Sequence, residues 1–286
     1  MGAGRQNGGV SLFRDQGVVL RTHKLGEADR IITLLTRQRG LVRAAAKGVR
    51  KTSSRFGGRL EPFMHVDLQL AEGRTLDVIT QVVTLSAFAR DLGLDYPAYT
   101  AGTAILETAE RLTPHDGEPA VQQYQLLVGA LAALSARRQP PSTLLDSYQL
   151  RALAVAGYAP SFSGCARCGL EGPHRNLHVP SGGVLCDGCR LPGSSAPPAV
   201  TLTLLAALLA GDWPVVEQAD DEVDRLDLVQ RARRLALASR RTDVVVHECF
   251  SHDRPRFSVV RWRSTTDPGT GPSGVADHGS TLWNRL

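Results

Sequence analysis

Short apolar runs separated by turn residues fill the first third of the chain. The fourth run alternates strictly between polar and apolar residues, and Glu72-Gly73 marks a hairpin before the fifth. Such alternation is typical of half-buried β-strands, because successive side chains point to opposite faces. Five strands without an intervening helix predict a small closed barrel such as an OB-fold, with an SH3-like barrel as the alternative. The runs are 17–21, 30–36, 41–46, 65–70 and 75–83.

After residue 86 the apolar residues recur three or four positions apart, which is the spacing of one face of an α-helix. Pro114 follows the first segment, Pro140-Pro141 follow the second, and Gly157 is a C-cap for the third. Stripes of Leu, Val and Ala are typical of bundle cores, so they predict a helical domain rather than a ligand site. The helical regions are 98–112, 121–134, 144–156 and 199–240.

Four of the five cysteines form two Cys-x-x-Cys pairs separated by seventeen residues. This spacing is typical of a four-thiolate zinc site, since each pair presents two thiolates to one metal. Two disulfides are the alternative, but a reducing cytosol does not preserve them. Four thiolates leave no open coordination position, so we expect one structural Zn²⁺ ion without metallohydrolase chemistry. The predicted ligands are Cys165, Cys168, Cys186 and Cys189, whereas His174 and His178 are interpreted as ribbon residues and Cys249 as a core residue.

These patterns predict an α+β multidomain protein. An N-terminal five-stranded OB-fold barrel is followed by an α-helical domain with an inserted four-cysteine zinc ribbon. The first ten residues are rich in glycine and the last segment is rich in Gly, Pro, Ser and Thr, so both are expected to be mobile. The expected boundaries are 1–10 for the flexible start, 11–85 for the barrel, 86–163 and 191–262 for the two parts of the helical domain, 164–190 for the ribbon and 263–286 for the tail.

The 286 residues have the composition of a globular protein, with 42% hydrophobic and 21% charged residues. The most apolar stretch, 199–210, is shorter than the ~20 residues of a membrane span, and no signal-peptide pattern is evident. A cytoplasmic protein without a membrane partner is therefore expected. The sequence lacks a phosphate-binding loop, a nucleophile elbow and a His-Glu-x-x-His pair, so no enzymatic activity is expected.

Positive charge is concentrated at the start of the chain. Residues 1–60 contain thirteen Lys or Arg and three acidic residues, whereas the remainder contains 20 basic and 25 acidic residues. A basic module joined to a mildly acidic remainder is typical of a polyanion-binding protein, and a solvated basic face is the alternative.

The segment 47–59, between the third and fourth predicted strands, carries five basic residues, one aromatic residue and no acidic ones. A cationic loop on a small barrel is typical of single-strand binders, in which cations follow the phosphates and a ring stacks on a base. Phe56 is a candidate stacking residue, with a role as an anchor of the loop on the barrel as the alternative. The candidate DNA-contacting residues are Arg37, Arg39, Arg43, Lys47, Arg50, Lys51, Arg55, Phe56 and Arg59.

Several motifs in this region resemble the N-terminal region of RecO, a family of bacterial recombination mediators. The order of a basic barrel, a helical domain and an inserted cysteine ribbon is also similar to RecO over about 11–262, although family members can lack the cysteines. The motifs are Gly26-Glu-Ala-Asp-Arg-Ile-Ile-Thr-Leu-Leu-Thr, Arg39-Gly-Leu, Ala46-Lys-Gly-Val-Arg and Ser54-Arg-Phe-Gly-Gly-Arg-Leu-Glu-Pro-Phe.

The resemblance implies a non-enzymatic DNA repair protein of the RecF pathway, associated with the nucleoid. RecO-like proteins bind single- and double-stranded DNA and anneal complementary strands. With RecR they help RecA displace the single-strand binding protein SSB, whose C-terminal tail they engage through the helical domain. The implied partners are therefore DNA, RecR, the SSB tail and, indirectly, RecA, for a chain that is a monomer by itself.

Two other classes of protein combine some of these features. A zinc-ribbon transcription or translation factor with an OB-fold would bind RNA or a polymerase. A structural adaptor would use its basic portion to bind an acidic protein and would have no affinity for nucleic acid.

Overall fold

The structure, a computed structural model, describes residues 11–114 and 117–222. The chain divides into two units, with the division between Ala156 and Gly157. The predictions made for residues 1–10, for the end of the helical domain and its Cys249, and for the tail lie outside the described residues.

The five predicted strands form a closed barrel with the order β1-β2-β3-β5-β4. Neighbouring strands are antiparallel except β3 and β5, which pair in parallel through Ala44 with Asp77 and Ala45 with Val78. This parallel pairing closes the barrel, and the predicted OB-fold is confirmed. The strands are β1 (Leu12–Leu25), β2 (Asp29–Thr36), β3 (Gly40–Ala46), β4 (Met64–Ala71) and β5 (Asp77–Ala87).

Alternation along the strands decides which side chains fill the barrel. In β3, Val42, Ala44 and Ala46 belong to the buried core cluster, whereas Arg43 is the exposed residue of that strand. Because successive residues of a strand point to opposite faces, Arg43 points away from the core. The alternation of side chains along β3 therefore also places its one cation, Arg43, on the outer surface of the barrel.

Phe56 lies inside the barrel, which corrects the prediction that its ring stacks on a base. The residue is only 1% exposed and belongs to the same core cluster as Leu60. A short 3₁₀ turn, Gly57–Leu60, joins the two, and Gly57 has a φ of +52°, which glycine adopts without a Cβ penalty. Burial of an aromatic ring is favoured over its exposure on a loop. Phe56 therefore anchors the cationic segment to the barrel, as the alternative interpretation states.

After the barrel, the described residues of the first unit form four helices: α1 (Phe88–Leu92), α2 (Tyr96–Leu112), α3 (Val121–Ser135) and α4 (Pro141–Val155). Arg21 of β1 forms an ion pair with Glu110 of α2 at 2.6 Å. Helices α2, α3 and α4 pack against one another, as their apolar stripes predict. The predicted boundary after residue 85 falls two residues before the end of β5, and it stays a prediction as a domain boundary.

His65 of β4 is the main polar contact between the barrel and α3. Its Nε2 lies 2.7 Å from the hydroxyl of Tyr124, and its ring stacks on Phe88 with the two planes 3° apart. Its Nδ1 is buried without a hydrogen-bond partner among the described residues. Burial lowers the pKa of His65 and raises the pKa of Tyr124 to about 12, because the charged form of each is poorly solvated there.

The described part of the second unit, residues 157–222, contains the cysteine ribbon and two helices. Its strands are β6 (Asn176–His178) and β7 (Gly183–Leu185), and its helices are α5 (Ala199–Ala210) and α6 (Trp213–Glu222). Helix α5 ends at Gly211, whose φ of +71° is the left-handed conformation typical of a helix C-terminus. No helix within 11–114 or 117–222 combines the length and hydropathy of a membrane span.

We expect Phe56→Ala to lower the free energy of unfolding by ~3–5 kcal/mol, because it removes a buried ring and leaves a cavity in the barrel. Phe56→Leu is the matched control and should cost less than ~1.5 kcal/mol, since it keeps most of the volume. Denaturant unfolding measures both. A Phe56→Ala protein as stable as the wild type but weak in DNA binding would restore the stacking interpretation.

The lowered pKa of His65 predicts a loss of stability in acid. Below about pH 6.5 the unfolded chain binds a proton at this residue while the folded chain does not, so the free energy of unfolding falls as the pH decreases. A His65→Gln variant should lose less stability than the wild type between about pH 6.5 and pH 5. Denaturant titrations at several pH values provide the comparison, and parallel curves for the two proteins would contradict the assignment.

Candidate nucleic-acid interface and metal centre

The segment that joins β3 to β4 is held in place by the preceding turn between β1 and β2. The Asp29 carboxylate accepts a hydrogen bond from the backbone N–H of Gly48 at 2.7 Å. Arg50 donates to the backbone carbonyl of Glu27 at 2.8 Å, and its own N–H donates to the carbonyl of Ala28 at 3.0 Å. The segment is therefore a structured loop whose base is attached to the barrel.

Arg30, at the start of β2, also supports the far end of the loop. Its guanidinium lies 2.6 Å from the carboxylate of Glu61, which follows the 3₁₀ turn. Exposed ion pairs contribute little to stability, so the importance of this one is positional. The sequence analysis used Gly26-Glu-Ala-Asp-Arg only as part of the family resemblance and did not predict that this segment supports the loop. Acidic residues just before a strand that precedes a cationic loop were the feature that could have indicated it.

The loop presents its cations to solvent. Lys47, Arg50, Lys51, Arg55 and Arg59 are all exposed. The Arg59 guanidinium donates to the carbonyl of Arg55 at 3.0 Å, and the guanidinium of Arg55 lies 5.0 Å from the centre of the Phe56 ring. These contacts orient the two arginines without neutralising them. The structure thus gathers five of the predicted cations in one short loop.

The other three predicted cations lie along β3 and at its start. Arg43 is exposed in the middle of the strand, and Arg37 is exposed in the turn before it. Arg39 is engaged, because its guanidinium lies 2.9 Å from the Glu72 carboxylate and 3.7 Å from the centre of the Phe13 ring. A seven-residue strand spans ~20 Å, so the candidates form an extended strip rather than one spot.

Seven of these eight cations have no carboxylate partner among the described residues, and Arg39 is the exception. We call the seven the cationic strip: Arg37, Arg43, Lys47, Arg50, Lys51, Arg55 and Arg59. Cations without internal partners retain their full charge for an external anion. The strip therefore suits a ligand that carries repeated negative charges along its length.

The four predicted metal-binding cysteines converge in the second unit. Their Sγ atoms all lie within 4.8 Å of one another, and the sulfurs of Cys168 and Cys186 are 3.8 Å apart. Each Cys-x-x-Cys pair is a tight turn: Gly169 N–H donates to the carbonyl of Cys165 at 2.8 Å, and Cys189 N–H donates to that of Cys186 at 3.0 Å. The cluster could hold one metal ion.

Backbone contacts between the two pairs fix this geometry. Ala166 N–H donates to the carbonyl of Val184 at 2.8 Å, which ties the first turn to β7. Gly183 precedes it, where a Cβ would lie 2.2 Å from the carbonyl oxygen of Ser161. Only glycine permits that approach of two backbones. The cysteines are therefore brought together by the ribbon itself.

The thiols of the cluster differ in acidity. A backbone hydrogen bond from Cys186 lowers the pKa of Cys165 to about 5. Burial raises the pKa of Cys186, and the side-chain hydrogen bond with Cys186 raises the pKa of Cys189 to about 12. One thiolate is favoured, whereas burial and hydrogen bonds between the thiols favour the protonated forms of Cys186 and Cys189. A divalent cation would favour the thiolate form, so the donor set fits a metal ion.

The two histidines of the ribbon lie outside the cluster. His174 Nε2 is 2.8 Å from the carbonyl oxygen of Leu170, and His178 Nδ1 is 2.7 Å from the hydroxyl of Ser181. The group of potential metal ligands found in the described residues contains the four cysteines alone. The prediction that these histidines are ribbon residues is confirmed.

Known proteins match both units of the chain. A family model described as recombination protein O, N terminal, matches residues 10–88, and a second, recombination protein O, C terminal, matches residues 93–232. The chain belongs to the RecO family of DNA repair proteins. Its members include the DNA repair protein RecO of Nocardioides sp., which is 65% identical over 211 residues, or 73% of this chain and 86% of the relative. The DNA repair protein RecO of Streptomyces griseus is 57% identical over 217 residues, or 74% and 88% of the two chains.

The predicted resemblance to RecO is thus confirmed for the barrel and for the region that follows it. The matched residues include the whole cationic strip and all four clustered cysteines. Both candidate sites of this RecO-family chain therefore lie within the part that it shares with the family.

For the cluster, we expect Cys165→Ser to reduce the bound metal well below one ion per chain and to lower the melting temperature. The physical reason is that a structural metal contributes its binding free energy to folding. Elemental analysis and thermal unfolding measure the two effects. His174→Ala is the matched control and should keep the metal, because His174 lies in the ribbon but outside the cluster. Full metal content in Cys165→Ser would contradict the four-thiolate assignment.

Proposed function

We propose that this RecO-family chain binds single- and double-stranded DNA along the cationic strip and anneals complementary strands without catalysing a chemical reaction. The observation that carries the proposal is the strip itself: seven exposed cations on an OB-fold barrel without carboxylate partners among the described residues. Each Lys or Arg that contacts a phosphate releases a counterion, so such binding is strongly dependent on salt.

Annealing requires two like-charged backbones to approach each other. A strip of cations screens their repulsion, and an extended loop on a barrel leaves both backbones accessible. No nucleotide hydrolysis is needed, because base pairing supplies the free energy. The proposed role follows from this chemistry: the chain pairs strands during DNA repair in the cytoplasm, at the nucleoid.

Family membership supports a wider role as a recombination mediator of the RecF pathway. We propose that the chain, acting with RecR, helps RecA to replace SSB on single-stranded DNA and that it engages the SSB C-terminal tail through its helices. RecA is then an indirect partner, and the chain is a monomer by itself. The zinc-ribbon factor and the structural adaptor have no such support from the family.

We propose Zn²⁺ as the ion of the cysteine cluster. Tetrahedral Zn–S bonds of ~2.3 Å place sulfurs ~3.8 Å apart, and the 3.8 Å between Cys168 and Cys186 agrees with that geometry. Four thiolates saturate the ion, so its contribution is to stabilise the ribbon. The strip and the zinc centre have different roles, since the first binds DNA and the second maintains a fold.

The variant Lys47→Glu/Lys51→Glu tests the strip. Both side chains are exposed and hold no ion pair with the described residues, so their reversal should leave the fold intact. We expect about tenfold or greater loss of affinity for single-stranded DNA, and a salt slope shallower by up to ~1.4 for two lost phosphate contacts. Fluorescence anisotropy over a range of salt concentrations measures both. Annealing of SSB-coated complementary strands should slow in parallel.

A matched control, Arg138→Glu/Arg175→Glu, makes the same change in net charge at exposed positions outside the strip. It should leave the salt slope unchanged. Equal losses in the two variants would mean that net charge, and not the strip, governs binding. Tighter binding of the wild type to structured RNA than to DNA would instead favour the transcription or translation factor.

A further inference from the structure

Two exposed tyrosines lie close together at the start of α2. Tyr96 is 71% exposed and Tyr99 is 48% exposed, and the preceding Leu94 is 83% exposed. Residues three apart on a helix share a face with their Cβ atoms ~5–6 Å apart. Phe56, the aromatic residue of the cationic loop, is buried and cannot stack on a base. The turn at the start of α2, in contrast, presents two exposed aromatic rings.

The surroundings of the tyrosines are rigid. Helix α2 starts with the Asp95 carboxylate accepting a hydrogen bond from Ala98 N–H at 3.1 Å. The ring of Tyr99 meets Phe63 edge to face, with the centroids 5.5 Å apart. Helix α2 packs closely on Phe63, because a Cβ at Gly102 would lie 2.9 Å from Phe63 Cε1. The ring of Tyr99 is held by this contact, and a fixed ring loses little conformational entropy when a planar ligand stacks on it.

Phe63 connects these rings to the cationic strip. It lies four residues after Arg59, which limits the distance between their Cα atoms to about 15 Å. Its φ of +68° is uncommon for a residue with a Cβ, and its N–H donates to the carbonyl of Val19 at 3.1 Å. Strain of this kind persists only where the surrounding structure imposes it, often at binding sites. The end of the cationic loop is thereby held against the tyrosine-bearing turn.

Three carboxylates in or near this turn each have a partner among the described residues. Asp95 lies 3.6 Å from the guanidinium of Arg137, and Asp91 accepts a hydrogen bond from the hydroxyl of Ser135 at 2.6 Å. Glu61 is paired with Arg30. Two of these carboxylates, Asp95 and Glu61, are paired with guanidinium groups, which lowers the electrostatic cost of bringing a phosphate backbone near this turn.

We infer that Tyr96 and Tyr99 form a base-stacking platform for single-stranded DNA that leaves the cationic strip at Arg59. This inference rests on the proposed DNA-binding function and adds a second kind of contact to it. The strip binds phosphates and does not distinguish single from double strands, whereas the platform requires unpaired bases with an open face. The two tyrosines would thus make the chain prefer single strands.

The test is Tyr96→Leu in the full chain, compared with Tyr96→Phe. Leucine keeps an apolar side chain but cannot stack, whereas phenylalanine retains the ring. We expect Tyr96→Leu to lose about tenfold in affinity for a single-stranded oligonucleotide, and Tyr96→Phe to bind like the wild type. Affinity for duplex DNA and for an oligonucleotide of abasic sites should not change. The salt slope should also stay the same, because no phosphate contact is lost.

Other outcomes would overturn the platform. Unchanged affinity for single strands in Tyr96→Leu, or equal losses on normal and abasic strands, would show that no base stacks there. Loss of binding to RecR or SSB with normal DNA affinity would make the turn a protein-binding surface. If the wild type itself bound DNA without salt dependence, the proposed function would fail as well. Salt-dependent wild-type binding that is insensitive to Tyr96 would remove the platform alone.

Discussion

Burial of Phe56 and Leu60 in the barrel is the interaction on which the cationic strip depends. Five cations within thirteen residues repel one another, but at ~10 Å in water each pair costs only ~0.4 kcal/mol. Burying one large apolar side chain contributes ~1.5–3 kcal/mol. The apolar anchor therefore outweighs the repulsion of several pairs, and the loop keeps its charges together on the barrel surface.

Two acidic residues near the strip, Asp29 and Glu61, bind groups other than the cations of the strip. Asp29 binds a backbone N–H, and Glu61 binds Arg30, which is outside the strip. Asp29, Glu61 and Arg30 thus position the loop, whereas the cations of the strip remain available to a polyanion. A protein that must bind and release long anions benefits from such a division, because counterion release makes binding both strong and reversible with salt.

The barrel and the cysteine ribbon differ in how much apolar surface they bury. The barrel surrounds a continuous cluster of buried apolar side chains. The ribbon has two three-residue strands and a few buried apolar residues, including Leu177, Val184 and Leu185. So small an element buries little surface, and a metal ion held by the four cysteines would add stability that the hydrophobic effect does not provide here. The cysteine cluster is therefore understandable as part of the fold of the ribbon.

The sequence by itself determined the elements and the chemistry of both sites. Short apolar runs between turn residues, with strict alternation in the fourth, predicted the five strands, and the Cys-x-x-Cys spacing predicted the thiolate cluster, because both turns are local. The family resemblance was equally visible in residues 26–63.

Tertiary structure alone decided which side chains remain available. Phe56 and the tyrosines of α2 are all aromatic residues next to polar ones in the sequence, yet the barrel buries the first and leaves Tyr96 and Tyr99 exposed. Arg39 pairs with Glu72, which is distant in the chain, whereas Lys47 has no ion-pair partner among the residues that the structure describes. Burial and ion pairing depend on which elements meet in space, and local patterns do not encode those long-range contacts.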